Sequence, residues 1–286
     1  MNNEPQKNRS FFVNQGKNDL LITIGDSWTW GSSLGDLSVD YRSKHVYGRH
    51  LSEQLECDWI NYGLVARGNN EILSNLDLIL QCVFADDFDS NLSKYDFLAD
   101  FDYKNLSDLA TKKYQQIYIV ITLTETGRDS YDNSAKDQFT EVKNFLIDDE
   151  LHVYRKITKL KEQYKNTNLV VARNFSCDFG ECSNSISVEK NWIQINFEEN
   201  QRRGFDNFGY TLEDISNSGA VSRIAMNKIR QLDYQDKKQY IIKQINNCDK
   251  LLHWLKNNPL HYNKSTCHPK EESHKLWADY LIQYFK

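Results

Sequence analysis

The sequence lacks any apolar run that approaches bilayer-spanning length, so no transmembrane helix is expected. Residues Met1 to Asn18 contain no apolar stretch of the signal-peptide kind. They read as a loose leader, with Arg9–Val13 as a short edge element, and the protein is expected in the cytoplasm. Positive charge is not in excess. The formal net charge of -5 argues against a general nucleic-acid binder. The six cysteines (Cys57, Cys82, Cys177, Cys182, Cys248 and Cys267) form no CxxC pair, so no structural zinc site is expected. In a reducing compartment they are expected as free thiols, mostly buried. Internal repeats, low-complexity tracts and a clear linker are also missing, which points to one domain over residues 19–286.

What is present is organised around Leu20-Leu21-Ile22-Thr23-Ile24-Gly25-Asp26-Ser27. A short apolar, β-branched run that breaks at glycine reads as a buried strand. A serine just past the carboxyl end of such a strand sits where α/β sheets bind ligands. Free backbone N–H groups of the following turn lie beside its hydroxyl, as an acyl-transfer nucleophile requires. Taken alone, the tripeptide Gly25-Asp26-Ser27 is equally ordinary turn chemistry. Asp26 fits a turn-stabilising hydrogen bonder better than a general base.

The rest of the chain repeats the strand–turn–helix rhythm. Ser43–Glu56 has helical spacing, Cys57–Tyr62 is a second strand, and Gly63–Asn70 is another glycine-punctuated turn. Glu71–Phe84 carries a wide apolar stripe and reads as helix. Ile117–Leu123 is the most strand-like run, and Leu169–Asn174 is the fourth strand. Trp192–Ile195 is taken as the fifth, and Gly180–Lys190 and Glu198–Gly219 read as loop. Glu141–Tyr164, Ala220–Leu232, Lys237–Lys256 and Lys270–Phe285 read as helices, with Pro269 suited to starting the last. Ala85–Gln116 interrupts the rhythm with alternating aspartates and aromatics, either a lid or a solvated insertion. Strands alternating with helices imply a parallel sheet with right-handed crossovers.

The late segment His268-Pro269-Lys-Glu-Glu-Ser-His274 leads into the final helix. Together with Gly25-Asp26-Ser27 after the first strand and Asn61–Gly68 after the second, it resembles the SGNH (GDSL-type) hydrolases, in block order over nearly the whole chain. The resemblance implies an α/β three-layer α/β/α sandwich, flavodoxin-like, with a mainly parallel five-stranded sheet. It implies Ser27 as nucleophile and His268 as general base, with the backbone N–H groups of Ser27 and Gly68 as oxyanion donors. It implies no metal and no cofactor, and a small-molecule or glycan ester as substrate. His274 fits a structural role on the final helix.

Two positions depart from the family pattern. The loop after the third strand reads Thr124-Glu125-Thr126-Gly127, without the asparagine that usually donates to the oxyanion; the Thr126 hydroxyl is the available replacement. Ser265 stands where the family has the aspartate that orients the histidine. Ser265 Oγ, a backbone carbonyl, or a carboxylate from elsewhere can take that place. Three outcomes stay open: an ester hydrolase, for example a carbohydrate O-deacetylase; a weakened or inactive glycan-binding protein; or an O-acyltransferase, which a drier pocket favours.

Overall fold

Five short runs rich in branched aliphatic and aromatic residues pair into one sheet. The structure is a computed structural model that describes residues 10–32, 34, 38–63, 68–84, 109, 111–124, 152–174, 188–205, 209–212, 214, 250–258 and 261–286. The strands are β1 (Ser10–Val13), β2 (Leu20–Gly25), β3 (Asp58–Gly63), β4 (Ile117–Leu123) and β5 (Thr167–Arg173), in the order β1-β3-β2-β4-β5. β3, β2, β4 and β5 run parallel; β1 joins β3 antiparallel as the edge. Ile22 lies opposite Ile60 on one side and Ile119 on the other. The protein is therefore α/β with a mostly parallel sheet. From β2 the chain steps first to β3 and then crosses back to β4, so the order reverses at the carboxyl end of β2. That is where doubly wound sheets open a ligand crevice.

Helices cover both faces, which explains why β2 and β3 are buried at every residue without alternation. Leu20, Ile22 and Ile24 of β2 pack with Ile72, Leu76 and Ile79 of α4 (Asn69–Val83) and with Val153 and Ile157 of the helical residues 152–163. The opposite face joins Leu21, Trp59 and Val120 to α3 (Tyr47–Leu55), α5 (Trp192–Arg202) and α6 (Glu271–Leu281). This second core is aromatic: Trp192 stacks on Trp277 at 5.3 Å and meets Tyr47 edge-on. Such ring pairs stabilise by about 0.5–1.5 kcal/mol beyond area burial.

Three expectations change. Trp192–Ile195 is the start of α5, not a strand, so the fifth strand is β1. Asn191 accepts from Gln194 N–H while the Gln194 side chain accepts from Asn191 N–H, a complete capping box. A four-residue, mostly apolar run cannot distinguish the two periods; the cap decides. Second, Ser43–Glu56 is two helices, α2 (Val39–His45) and α3. Val46 breaks them, with extended backbone and its side chain sunk against Gly31. Third, α5 extends into Glu198–Gly219, which reads as loop by composition. The expected helix Ala220–Leu232, and the insertion at residues 85–116 apart from residues 109 and 111–116, lie outside the described residues.

Candidate active site

The serine turn is built by two close approaches. α1 (Ser27–Trp30) is a single turn set directly on the strand ends. A Cβ on Gly63 would sit 2.3 Å from both Cα and N of Trp30, and one on Gly25 would sit 2.2 Å from Thr29 Oγ1. Only glycine lets the backbone come that near. Asp26 caps the turn: its carboxylate accepts from Trp28 N–H at 3.0 Å. Asn174, just past β5, donates its amide Nδ2 to the same oxygen at 2.9 Å. Ser27 is thus the first residue of α1, 8% exposed.

The histidine arrives on a tight loop before α6. Tyr262 and Pro269 bridge across its base, and Asn263 N–H donates to His268 C=O at 2.8 Å. Asn263 Oδ1 accepts from Ser265 N–H at 3.0 Å, Ser265 Oγ at 2.7 Å and Thr266 N–H at 3.3 Å. Cys267 takes the left-handed conformation, φ 59°. This winding turns the Thr266 carbonyl back towards the ring: His268 Nδ1 lies 2.9 Å from Thr266 O. Its Nε2 lies 2.9 Å from Ser27 Oγ. A carbonyl only accepts, so that contact requires the proton on Nδ1 and leaves Nε2 as acceptor for the serine hydroxyl.

α6 is clamped from beneath. Ser273 Oγ accepts from Trp192 Nε1 at 2.8 Å and from Asn196 Nδ2 at 2.6 Å. Buried His274 accepts the Tyr47 N–H on Nδ1 at 3.3 Å and lies parallel to the Tyr47 ring. Burial pushes its pKa down to about 3, helped by the nearby His50 and His268, so it is neutral. Its ring packs between Tyr47 and the edge-on Trp192.

On the other side, Gly68 is the buried N-cap of α4, so the first N–H groups of that helix are not used within it. Asn69 locks this end to the end of β4: its Oδ1 accepts from Thr124 N–H at 2.9 Å and its Nδ2 donates to Thr124 C=O at 3.3 Å. Thr126 lies outside the described residues.

The structure therefore brings Ser27 and His268 together and starts a helix at Gly68. It does not bring Ser265 to the ring. That hydroxyl is turned onto Asn263, and the Thr266 carbonyl occupies Nδ1. Two participants escape sequence reading, Asn69 and Asn174; of the partners left open for Nδ1, the structure has a backbone carbonyl, that of Thr266. A polar residue directly after a buried strand is the signal that marks Asn174. Among the described residues no cluster of His, Cys, Asp and Glu is arranged to hold a metal ion.

No protein-family model and no curated protein matches the chain. Among solved structures, the chain is similar to one ascribed to a lipolytic protein of the G-D-S-L family from Desulfitobacterium hafniense DCB-2. The identity is 11%, the match covers 94% of this chain and 99% of that one, and the TM-score is 0.37. That likeness is too distant to carry a residue's role across.

Proposed function

We propose that the chain is a serine hydrolase that cleaves a carboxylic ester through an acyl-enzyme, a divergent protein of SGNH type. The observation that supports it is the line Ser27 Oγ to His268 Nε2, with Nδ1 on Thr266 O, at 2.9 Å in each contact. In the reaction, Nε2 takes the hydroxyl proton as Oγ attacks the ester carbonyl carbon. The tetrahedral oxyanion takes hydrogen bonds from the backbone N–H groups of Ser27 and Gly68. The imidazolium returns the proton to the leaving alkoxide. Water, deprotonated by the same nitrogen, then attacks the acyl carbon; the acyl–Oγ bond breaks, the acid leaves, and Nε2 returns the proton to Ser27 Oγ.

A carbonyl in place of a carboxylate keeps the ring in the productive tautomer and gives up part of the stabilisation of the imidazolium. In serine proteases, loss of the carboxylate with the wrong tautomer lowers kcat by about 10⁴. Here the tautomer is right, so the reading is a working dyad of modest rate. The substrate we assign is an ester of a small acyl group, such as acetyl on a carbohydrate.

The test is labelling of the folded protein with a fluorophosphonate, followed by peptide mass analysis, alongside p-nitrophenyl acetate hydrolysis. Labelling at Ser27 and its loss in His268→Ala are expected. An unlabelled Ser27 in folded protein overturns the proposal.

A further inference from the structure

The carboxylate before the candidate nucleophile is held from a strand two places away. β2 leads directly into Asp26 and Ser27; β4 lies between it and β5, which leads into Asn174. Asn174 is 0% exposed, its N–H donates to Leu123 C=O at 3.1 Å, and its amide reaches past the end of β4 to Asp26 Oδ1. The amide orientation is fixed by chemistry, because the carboxylate of Asp26 offers only acceptors and the NH₂ group must face it. The same Asp26 oxygen accepts from Trp28 N–H, so one atom ties β5 to the first turn of α1. Charge-assisted hydrogen bonds of this kind are about twice as strong as neutral ones. Ser27 lies between the two anchored residues.

We infer that Asn174 is a positioning residue: it holds Asp26, and through it the α1 turn, so that Ser27 Oγ stays in line with His268 Nε2. It touches neither the hydroxyl nor the ring and acts through Asp26 alone. The inference rests on the hydrolase reading. A turn of four residues has little rigidity of its own, and a displacement of about 1 Å in a reacting atom can cost a hundredfold in rate.

The experiment uses the full chain and three proteins: wild type, Asn174→Ala and Asn174→Asp. Asn174→Asp is isosteric but opposes two carboxylates. The rate of fluorophosphonate labelling, kcat and KM for p-nitrophenyl acetate, and the thermal midpoint are measured on each. Asn174→Ala and Asn174→Asp are expected to lower kcat and the labelling rate about tenfold or more with KM within about threefold. If Asn174→Asp does not fold, Asn174→Ala decides. The inference fails if folded Asn174→Ala labels within twofold of wild type, or if its KM rises as much as its kcat falls. Wild type that does not label at Ser27 refutes the hydrolase reading itself, a result separate from either of these.

Discussion

Ser27 Oγ and His268 Nε2 stand 2.9 Å apart although 241 positions separate them along the chain. The hydroxyl comes from the carboxyl end of β2 and the imidazole from the loop before α6. Removing either is expected to remove the chemistry. Ser27→Ala and His268→Ala should each lower p-nitrophenyl acetate turnover by about 10³-fold or more, and together cost little beyond either alone. Steady-state kinetics on the two single variants and the double variant check this.

The Thr266 carbonyl, not Ser265, faces Nδ1, and Asn263 shapes the turn that presents it. Ser265→Ala is expected to keep hydrolysis within about twofold. Asn263→Ala, which frees two main-chain N–H groups, should lower kcat about tenfold and stability by about 1 kcal/mol. Kinetics with urea denaturation separates the two effects. An equal loss in both variants would return the orienting role to Ser265.

Asn69 joins the start of α4 to the end of β4 through both its amide atoms. Asn69→Ala leaves the Thr124 main-chain groups without these partners beside Gly68. It is expected to cost about 1–3 kcal/mol of stability. If Gly68 N–H serves the oxyanion, kcat should fall further than KM rises. Measuring kcat and KM on protein verified as folded checks the prediction.

How far these roles were legible in the sequence differs by residue. β2 and β4 read cleanly because these central parallel strands are almost wholly apolar, and the Gly25 turn read because a serine after such a strand is conspicuous. Trp192–Ile195 misled because so short a run fits both periods, and the Asn191–Gln194 box that decides them lies half outside the run. A backbone carbonyl was among the partners open for the imidazole, but every residue carries one, so no pattern singled out Thr266 over Ser265 Oγ. Asn69 acts through a contact 55 positions away, which no local pattern reveals; Asn174 is marked by its place directly after a strand, but its partner Asp26 lies 148 positions away.

Two buried histidines make stability acid-sensitive. Burial lowers His274 to about 3 and His261 to about 4, with Arg203 adding to the second. An unfolded histidine titrates near ~6.5, so the unfolded chain takes up protons first as pH falls. Both contributions are whole above about pH 6.5 and drain away as pH drops towards about 4 and about 3, at up to ~1.4 kcal/mol per pH unit for each group. Urea midpoints measured from pH 7.5 to pH 4.5 should fall steadily. His274→Gln should start lower and flatten the slope, and an unchanged slope would mean that His274 is not the group being titrated.

The glycine at the end of β3 carries α1 on its bare backbone, with no room for a methyl group beside Trp30. Gly63→Ala is expected to lower the thermal midpoint by several degrees and to cut fluorophosphonate labelling more than tenfold. Circular dichroism melts and labelling rates on the same preparation test this.

β1, the antiparallel edge strand, pairs its four residues with β3 and places Phe11 edge-on to Trp59 at 5.0 Å. Without it, β3 would present a bare ladder of N–H and C=O groups, an invitation to pair with a strand of another molecule. Trimming the chain past Val13 should therefore leave Ser27 and His268 in place while opening the β3 edge to intermolecular strand addition.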